Sequence, residues 1–494
     1  MSRHWDEEVE VLVVGSGFAG MAAAIEARRA GATVLVLEKM ASPGGNSVIS
    51  DGSVAAAGSA LQRRHGIEDS PDLMVRDMLR AGLELNHPAL ARLVADSSAA
   101  ALKWTIDELG VRYQDRVLQF GGHSVPRTHA TPGLSGAALF RPLLQRARDL
   151  GAEIRTGAFV EGLVRDPEGG VLGTRVRVGY TFPDAASGRP LTCRAARGVV
   201  VATGGFASDV AFRTVQDPRL TPAVASTNHP GATAEMLKEL LRGGAAQVHL
   251  SWIQLGPWAS PDEQGNGVGP TFATYVAFPF GIVVDPATGQ RFVNELADRR
   301  TRVEALLGIG HPAVAIADTA GVALSGQRIA KCLRKGVVRS FDSLAELARA
   351  YGVSPAALER TVATYNEHVA RGEDPELGKP ILAGAPRLGS PPFLAMRVWP
   401  KIHYTMGGVQ IDADAQVIDL DGRPIRGLFA AGEVTGGVHG ACRLGSTSIM
   451  DCLVVGRIAG TRAAATANDR SGRGRVRPRT TPAKRRRNGS PAEG

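Results

Sequence analysis

Residues Val9–Val14 form an apolar run that leads into Gly15-Ser16-Gly17-Phe18-Ala19-Gly20. An alanine-rich stretch follows, Gly31 stops it, and a second apolar run, Ala32–Leu37, ends at Glu38. Strand, glycine turn, helix, strand, acid is an order that few folds can accept. Gly15 permits the tight turn, Gly17 lets a pyrophosphate approach the backbone, and Gly20 lets helix and strand pack closely. Glu38, eighteen residues beyond Gly20, is placed to accept hydrogen bonds from ribose hydroxyls. The glycine pattern alone is a weak signal, but in this context it predicts a Rossmann-type dinucleotide unit. It does not choose between NAD and FAD.

Length and composition narrow the class. A chain of 494 residues has room for two or three domains. Its 60 glycines are many, as expected where backbone runs close to a ligand. The four cysteines, Cys193, Cys332, Cys442 and Cys452, show no CxxC, CxxCH or zinc-type spacing, which argues against a disulfide scaffold, attached haem or a metal site. Acidic residues precede the first strand where a signal peptide would be basic, and no apolar run reaches the ~18 residues of a membrane span. A cytoplasmic protein with no membrane span is the expectation. The net charge of +9 would suggest nucleic acid, but +8 of it falls from Arg470 onward. Residues 469–494 therefore read as a disordered basic tail, and no nucleic-acid partner is expected.

A glycine-rich segment, GGNSVISDGSVAAAG (44–58), follows the acidic strand. Further on come GVVVATGGFASD (198–209), TNHPGAT (227–233), RFVNELADRR (291–300), IHYTMGGVQID (402–412) and GLFAAGEVTGGVHGACRLGSTSIMDCLVVGRIAG (427–460). In kind and in order these resemble the FAD-dependent fumarate reductase and succinate dehydrogenase flavoproteins, specifically the flavin part of the soluble flavocytochrome c type without its haem domain. The resemblance implies an α/β protein. A Rossmann-type FAD-binding domain would occupy 1–250 and 395–468, interrupted by an inserted α+β capping domain at 251–394.

The resemblance also implies the cofactor contacts. They are Gly15, Gly17, Ala19, Gly20, Glu38 and Lys39 in the first unit, and Gly44, Gly45, Asn46, Ser47, Asp51 and Gly52 in the flavin loop. Ala202, Thr203, Gly204, Gly432, Glu433, Ser448 and Ile449 complete the set, with Glu433 directed at the ribityl chain. A helix starting near Ser446–Ser448 would point its positive end at the flavin pyrimidine, where reduction builds negative charge. Membrane-bound relatives attach FAD through a histidine at the place of Asn46, so noncovalent FAD is implied here.

For catalysis, the resemblance assigns Arg299 as proton donor to a substrate alkene, and His403 and Arg443 as the grip on a substrate carboxylate. Each has a plainer alternative: an interdomain ion pair for Arg299, a core position for His403, a cofactor contact for Arg443. The chain also departs from the pattern. Ile253-Gln-Leu-Gly256-Pro-Trp258 lacks the family's second-carboxylate histidine, and an apolar stretch replaces the T-E-A-x-R-G relay. Arg300 stands where the family has aspartate. Trp258, Phe272, Tyr275 and Phe278 are expected to form an apolar wall that gives a second anion no partner. Tyr275 or Asp298 could resupply the proton, or could be structural.

These readings favour an FAD-dependent ene-reductase for a monocarboxylic or aryl- or alkyl-substituted enoate, served by a separate electron donor or acceptor. A dehydrogenase working in the reverse direction, a 3-ketosteroid dehydrogenase-like enzyme and a non-catalytic redox sensor stay open as alternatives.

Overall fold

The protein is described by a computed structural model covering residues 4–467, so the basic segment expected to be disordered lies outside the described residues. The first strand, Glu7–Val14, sits inside an eight-stranded sheet. It pairs in parallel with Val34–Leu37 on one side, Val11 opposite Val34, and with Arg189–Val201 on the other, Val11 opposite Gly198. Glu153–Arg155 and Pro424–Ala430 extend the parallel set, and Gln416–Ile418 adds an antiparallel edge. The hairpin Ala158–Arg165 and Val171–Val178 pairs antiparallel with the first part of Arg189–Val201. The carboxyl-terminal parts of the central strands, Val11–Val14 and Val199–Val201, and all of Val34–Leu37 are apolar and buried, as a sheet covered on both faces requires.

Two helices stack against this sheet, Phe18–Arg29 and Thr447–Ala465. Their contact is close because small residues meet. A Cβ placed on Gly456 would lie 2.5 Å from the Ala19 carbonyl oxygen, and one on Gly460 would lie 2.1 Å from that of Ala23. Opposite ends of the chain are thereby locked together around one core.

A second sheet is antiparallel, ordered Ile282–Val284, Ala313–Asp318, Phe393–Val398, Arg339–Phe341. Helices Leu344–Tyr351 and Pro355–Arg371 pack on it through Leu347, Leu358, Val362 and Tyr365. A separate apolar cluster holds Phe272, Val276 and Phe278 from a helical segment that runs from Gly269 to Phe280. That segment contains a π-helical turn, Ala273–Ala277, a local irregularity found often at functional sites. Strand and helix mixing in this unit, beside a parallel Rossmann-like sheet, gives the α/β fold with a second unit that the motifs imply.

Candidate active site

Two cavities meet along the carboxyl ends of the parallel strands, where ligands bind in open α/β sheets. The narrower is lined by Gly15, Gly17, Ala19, Glu38, Lys39, Gly44, Gly45, Asn46, Ser47, Ala202, Thr203, Gly204, Gly432 and Glu433. The wider chamber, of about 930 Å³, takes in Asn46, Ser47, Asp51, Glu433, Ser448, Ile449, Arg299, His403 and Arg443. Gly20 and Gly52 line neither. A Cβ on Gly20 would fall 2.0 Å from the Gly15 carbonyl oxygen, and one on Gly52 2.5 Å from that of Ser135, so both glycines serve backbone packing.

Glu38 sits where its strand ends. Its Oε2 accepts from the Ser16 N–H at 3.2 Å and the Ser16 hydroxyl at 2.5 Å, and its Oε1 from the Met40 N–H at 2.9 Å. Lys39 turns away to Thr233 and Glu235. Glu433 accepts from the Thr405 N–H at 2.9 Å, and burial pushes its carboxyl up to about 7. Ser446 heads the long helix Thr447–Ala465 in the left-handed region at φ 65°. Its hydroxyl is buried without a hydrogen-bond partner among the described residues, as is that of Ser53. Both hydroxyls belong to the wider chamber, so the helix N-terminus and these orphaned groups offer donors to a bound ligand, which fits a dinucleotide flavin.

Arg299 is the first residue of helix Arg299–Ile309. Its guanidinium lies 4.3 Å from the centre of the Trp258 ring and donates to Gln254 Oε1 at 3.1 Å. Burial first, then Arg443 beside it, lowers its pKa well below the usual arginine range, toward what a proton donor needs. Asp298, considered as a proton source, is engaged as the cap of this helix, accepting from the Thr301 N–H at 3.1 Å and the Thr301 hydroxyl at 2.7 Å.

His403 owes its aim to an irregular strand pair. Ile253–Gly256 runs antiparallel to Lys401–Thr405, with Gln254 opposite Tyr404 and Leu255 opposite Ile402, so a bulge leaves His403 without a partner residue. Bulges of this kind re-aim a side chain. Its ring packs edge-on to Trp258 at 4.9 Å, and Nδ1 meets the Thr227 hydroxyl at 2.8 Å. Burial, then Arg443 and Arg299, holds the imidazole far below its ordinary pKa, so it is neutral. The Thr227 N–H donates to the Ile402 carbonyl at 2.8 Å and its hydroxyl donates to the same oxygen at 3.2 Å, so Thr227 ties the imidazole to the backbone of its own strand.

Arg443 is buried with its guanidinium 4.6 Å from the Tyr404 ring centre, and its Nε has no partner among the described residues. Gln254 ties the cations together: besides accepting from Arg299, its amide donates to the Arg443 carbonyl at 3.1 Å. The turn before Ser446 is braced from below. His123 Nε2 donates to the Gly445 carbonyl at 2.9 Å, and burial together with Arg127 pushes that histidine down to about 3. Arg127 is itself held by Asp69 at 2.9 Å and Asp77 at 2.7 Å, all three side chains fully buried.

The expected apolar wall is smaller than the sequence suggests. Trp258 and Tyr275 line the chamber, and Phe120 joins them, but Phe272 and Phe278 are packed in the core of the second unit. Tyr275 does not present a bare apolar face either. Its hydroxyl donates to Asp51 Oδ2 at 2.6 Å. Gln254, Thr227, Tyr404 and the His123–Arg127 brace were not singled out from sequence. Thr227 does fall inside TNHPGAT, which carries the resemblance, and Gln254 inside IQLGPW, where the chain departs from the family pattern, and both could have been found there.

A Rossmann-like sheet, a strand-end groove and three buried cationic or polar side chains facing one chamber define an FAD-dependent oxidoreductase that acts on C=C bonds. The chain belongs to the FAD-dependent fumarate reductase and succinate dehydrogenase flavoprotein family. Residues 10–449 match the FAD binding domain model. The acrylate reductase flavoprotein subunit of Shewanella woodyi is 46% identical over 462 residues, covering 92% of this chain and 91% of that protein. The open conformation of a flavocytochrome c3 fumarate reductase superposes with a TM-score of 0.71 at 33% identity, covering 93% of this chain and 78% of that one. A 3-ketosteroid-Δ4-(5α)-dehydrogenase from Rhodococcus jostii RHA1 gives a TM-score of 0.72 at 27% identity, covering 94% and 98%. Among the described residues, no helix is long and apolar enough to cross a membrane.

Proposed function

We propose that this protein reduces the C=C bond of a small monocarboxylic enoate, of the acrylate type, with noncovalent FAD as its cofactor. The observation that carries this reading is the convergence of Arg299, His403 and Arg443 on one chamber whose other two cations, Arg328 and Lys331, sit at exposed positions. Bound FAD supplies the hydride. Arg443 and the imidazole of His403 hold the carboxylate, with the guanidinium suited to a planar anion. Their cationic and donor character draws electron density toward that carboxylate and polarises the conjugated alkene. Arg299, with its depressed pKa, delivers the proton to the other alkene carbon.

The replacement of the second-carboxylate histidine by Gly256, against which the Trp258 ring packs, supports one carboxylate over two. Phe272 and Phe278 are packed into the core and do not extend the aromatic wall, which supports a short substituent over an aryl group. Arg443 and His403 also favour a carboxylate substrate over a steroid ketone. Asn46 is engaged with Asn228 at 2.6 Å and the His229 N–H at 2.7 Å, and no histidine lies between Ala41 and Gly58, which supports noncovalent FAD. A separate electron carrier completes the cycle.

The test is anaerobic reduction of the purified protein followed by mixing with acrylate, cinnamate and fumarate. Flavin reoxidation should be at least about tenfold faster with acrylate than with fumarate, a difference of ~1.4 kcal/mol in transition-state stabilisation. Arg299→Ala should retain FAD and lose reoxidation by every enoate, and Arg443→Ala should chiefly raise KM. Fumarate as the best oxidant, or undiminished turnover in Arg299→Ala, would sink the assignment.

A further inference from the structure

The flavin loop places an acid in the substrate chamber. Asp51 lines the same space as Arg299, His403 and Arg443, and it is fixed from two sides. Its Oδ1 accepts from the Ser53 N–H at 2.9 Å, and its Oδ2 from the Tyr275 hydroxyl at 2.6 Å. Tyr275 is in turn set by the π-helical turn that carries it and by an edge-on contact with Phe120 at 5.4 Å. The carboxylate therefore cannot swing out of the chamber without breaking a buried hydrogen bond.

The charges around it are few. The lining carries two guanidinium groups, the half-buried Arg299 and the buried Arg443, and two cations, Arg328 and Lys331, at exposed positions. The acids are Asp51 and Glu433, and burial shifts Glu433 toward its neutral form. Asp51 acts electrostatically on both Arg299 and Arg443. Arg299 and Arg443 against one fixed carboxylate leave a single positive charge away from the exposed cations, which one substrate carboxylate balances. A second substrate carboxylate would add a negative charge beside Asp51 with no buried cation left to offset it, and like charges in a desolvated site repel strongly. Selectivity between two anions can rest on such a built-in repulsion as much as on a missing contact.

We propose that Asp51, held in place by Tyr275, is the residue that restricts this site to substrates with one carboxylate. This rests on the enoate reading above and deepens it: the absence of a second clamp makes a dianion unrewarded, whereas Asp51 makes it opposed. Asp51 is the specificity-determining group and Tyr275 its positioning residue.

The experiment has a kinetic arm and a binding arm, both on holoprotein with measured FAD content. In the first, reduced wild type, Asp51→Asn, Asp51→Glu and Tyr275→Phe are reoxidised with acrylate and with fumarate over a concentration series. In the second, the oxidised proteins are titrated with propionate and with succinate, and the flavin absorbance change gives the two affinities. The expected result is a dianion-to-monoanion ratio, in KM and in affinity, that rises at least tenfold in favour of the dianion in Asp51→Asn. It should stay near wild type in Asp51→Glu and move in the same direction in Tyr275→Phe. A smaller change in Asp51→Asn, or an equal change for both anions, overturns the proposal. If Asp51→Asn fails to retain FAD, Tyr275→Phe decides by the same ratio. If no enoate reoxidises the wild type, the enoate reading fails while the titration still decides the role of Asp51, and binding of neither anion overturns that role as well.

Discussion

At the scale of single residues, the site works by controlling which atoms carry protons. His403 is held neutral by burial and by the two neighbouring guanidinium groups, and the Thr227 hydroxyl at 2.8 Å from Nδ1 orients its ring. Thr227→Val keeps the shape of that side chain and removes the hydroxyl. It should raise KM for the enoate roughly fivefold to tenfold, matching the ~1 kcal/mol of one hydrogen bond, with a smaller effect on kcat. Equal KM values in steady-state kinetics would show that the hydroxyl does not orient the imidazole. Glu433 gives a pH test. Its folded-state pKa of about 7 lies above its ordinary value of 4.5, so between those limits the folded protein binds more protons than the unfolded chain. Stability on this account is full below about pH 4.5 and is lost as pH rises through 7. Flavin-free protein should therefore lose up to about 3 kcal/mol over that window, and Glu433→Gln should not. Parallel melting curves for the two proteins between pH 5 and 8 would remove Glu433 as the cause.

At the scale of elements, the helix pair Phe18–Arg29 and Thr447–Ala465 fixes one wall of the flavin groove, because the second helix starts at the chamber. Gly460 faces backbone and has no room to give. Gly460→Ala should cost roughly 1–3 kcal/mol, seen as a lower melting temperature, together with weaker FAD retention. An unchanged melting temperature would mean that the helices can separate freely. Local pattern made much of this legible. Glycines at 15, 17 and 20, the alternation of apolar strand and alanine-rich helix, and the acid at 38 are short-range signals, and the groove residues they indicate do line the narrower cavity, apart from Gly20, which packs. The aromatic stretch from Phe272 to Phe280 was harder to read. Which of its side chains face the chamber depends on a π-helical turn that shifts the helical phase, so Tyr275 reaches Asp51 while Phe272 and Phe278 turn into the core. No spacing rule for a regular helix contains that shift.

At the scale of the whole molecule, segments that are distant in sequence, from Gly15 to Ile449, meet along one lined groove. A cofactor held only by such contacts is released when they are lost. Acid precipitation should leave all the yellow colour in the supernatant, and flavin retained by the pellet would show a covalent link. Bound FAD should also raise the melting temperature as its free concentration rises, by mass action. The sequence by itself determined the nucleotide fold, because it is written in a contiguous motif whose geometry is local, and its family resemblance pointed to the flavin loop and to Arg299, His403 and Arg443. Only the tertiary structure decided that Asp298 is spent as a helix cap, that a bulge aims His403, and that Asp51 and Tyr275 meet across 224 positions of chain. Those outcomes depend on which side chains the packing of two units brings within 3 Å of one another, and such distances follow from the folded backbone and not from spacing along the chain.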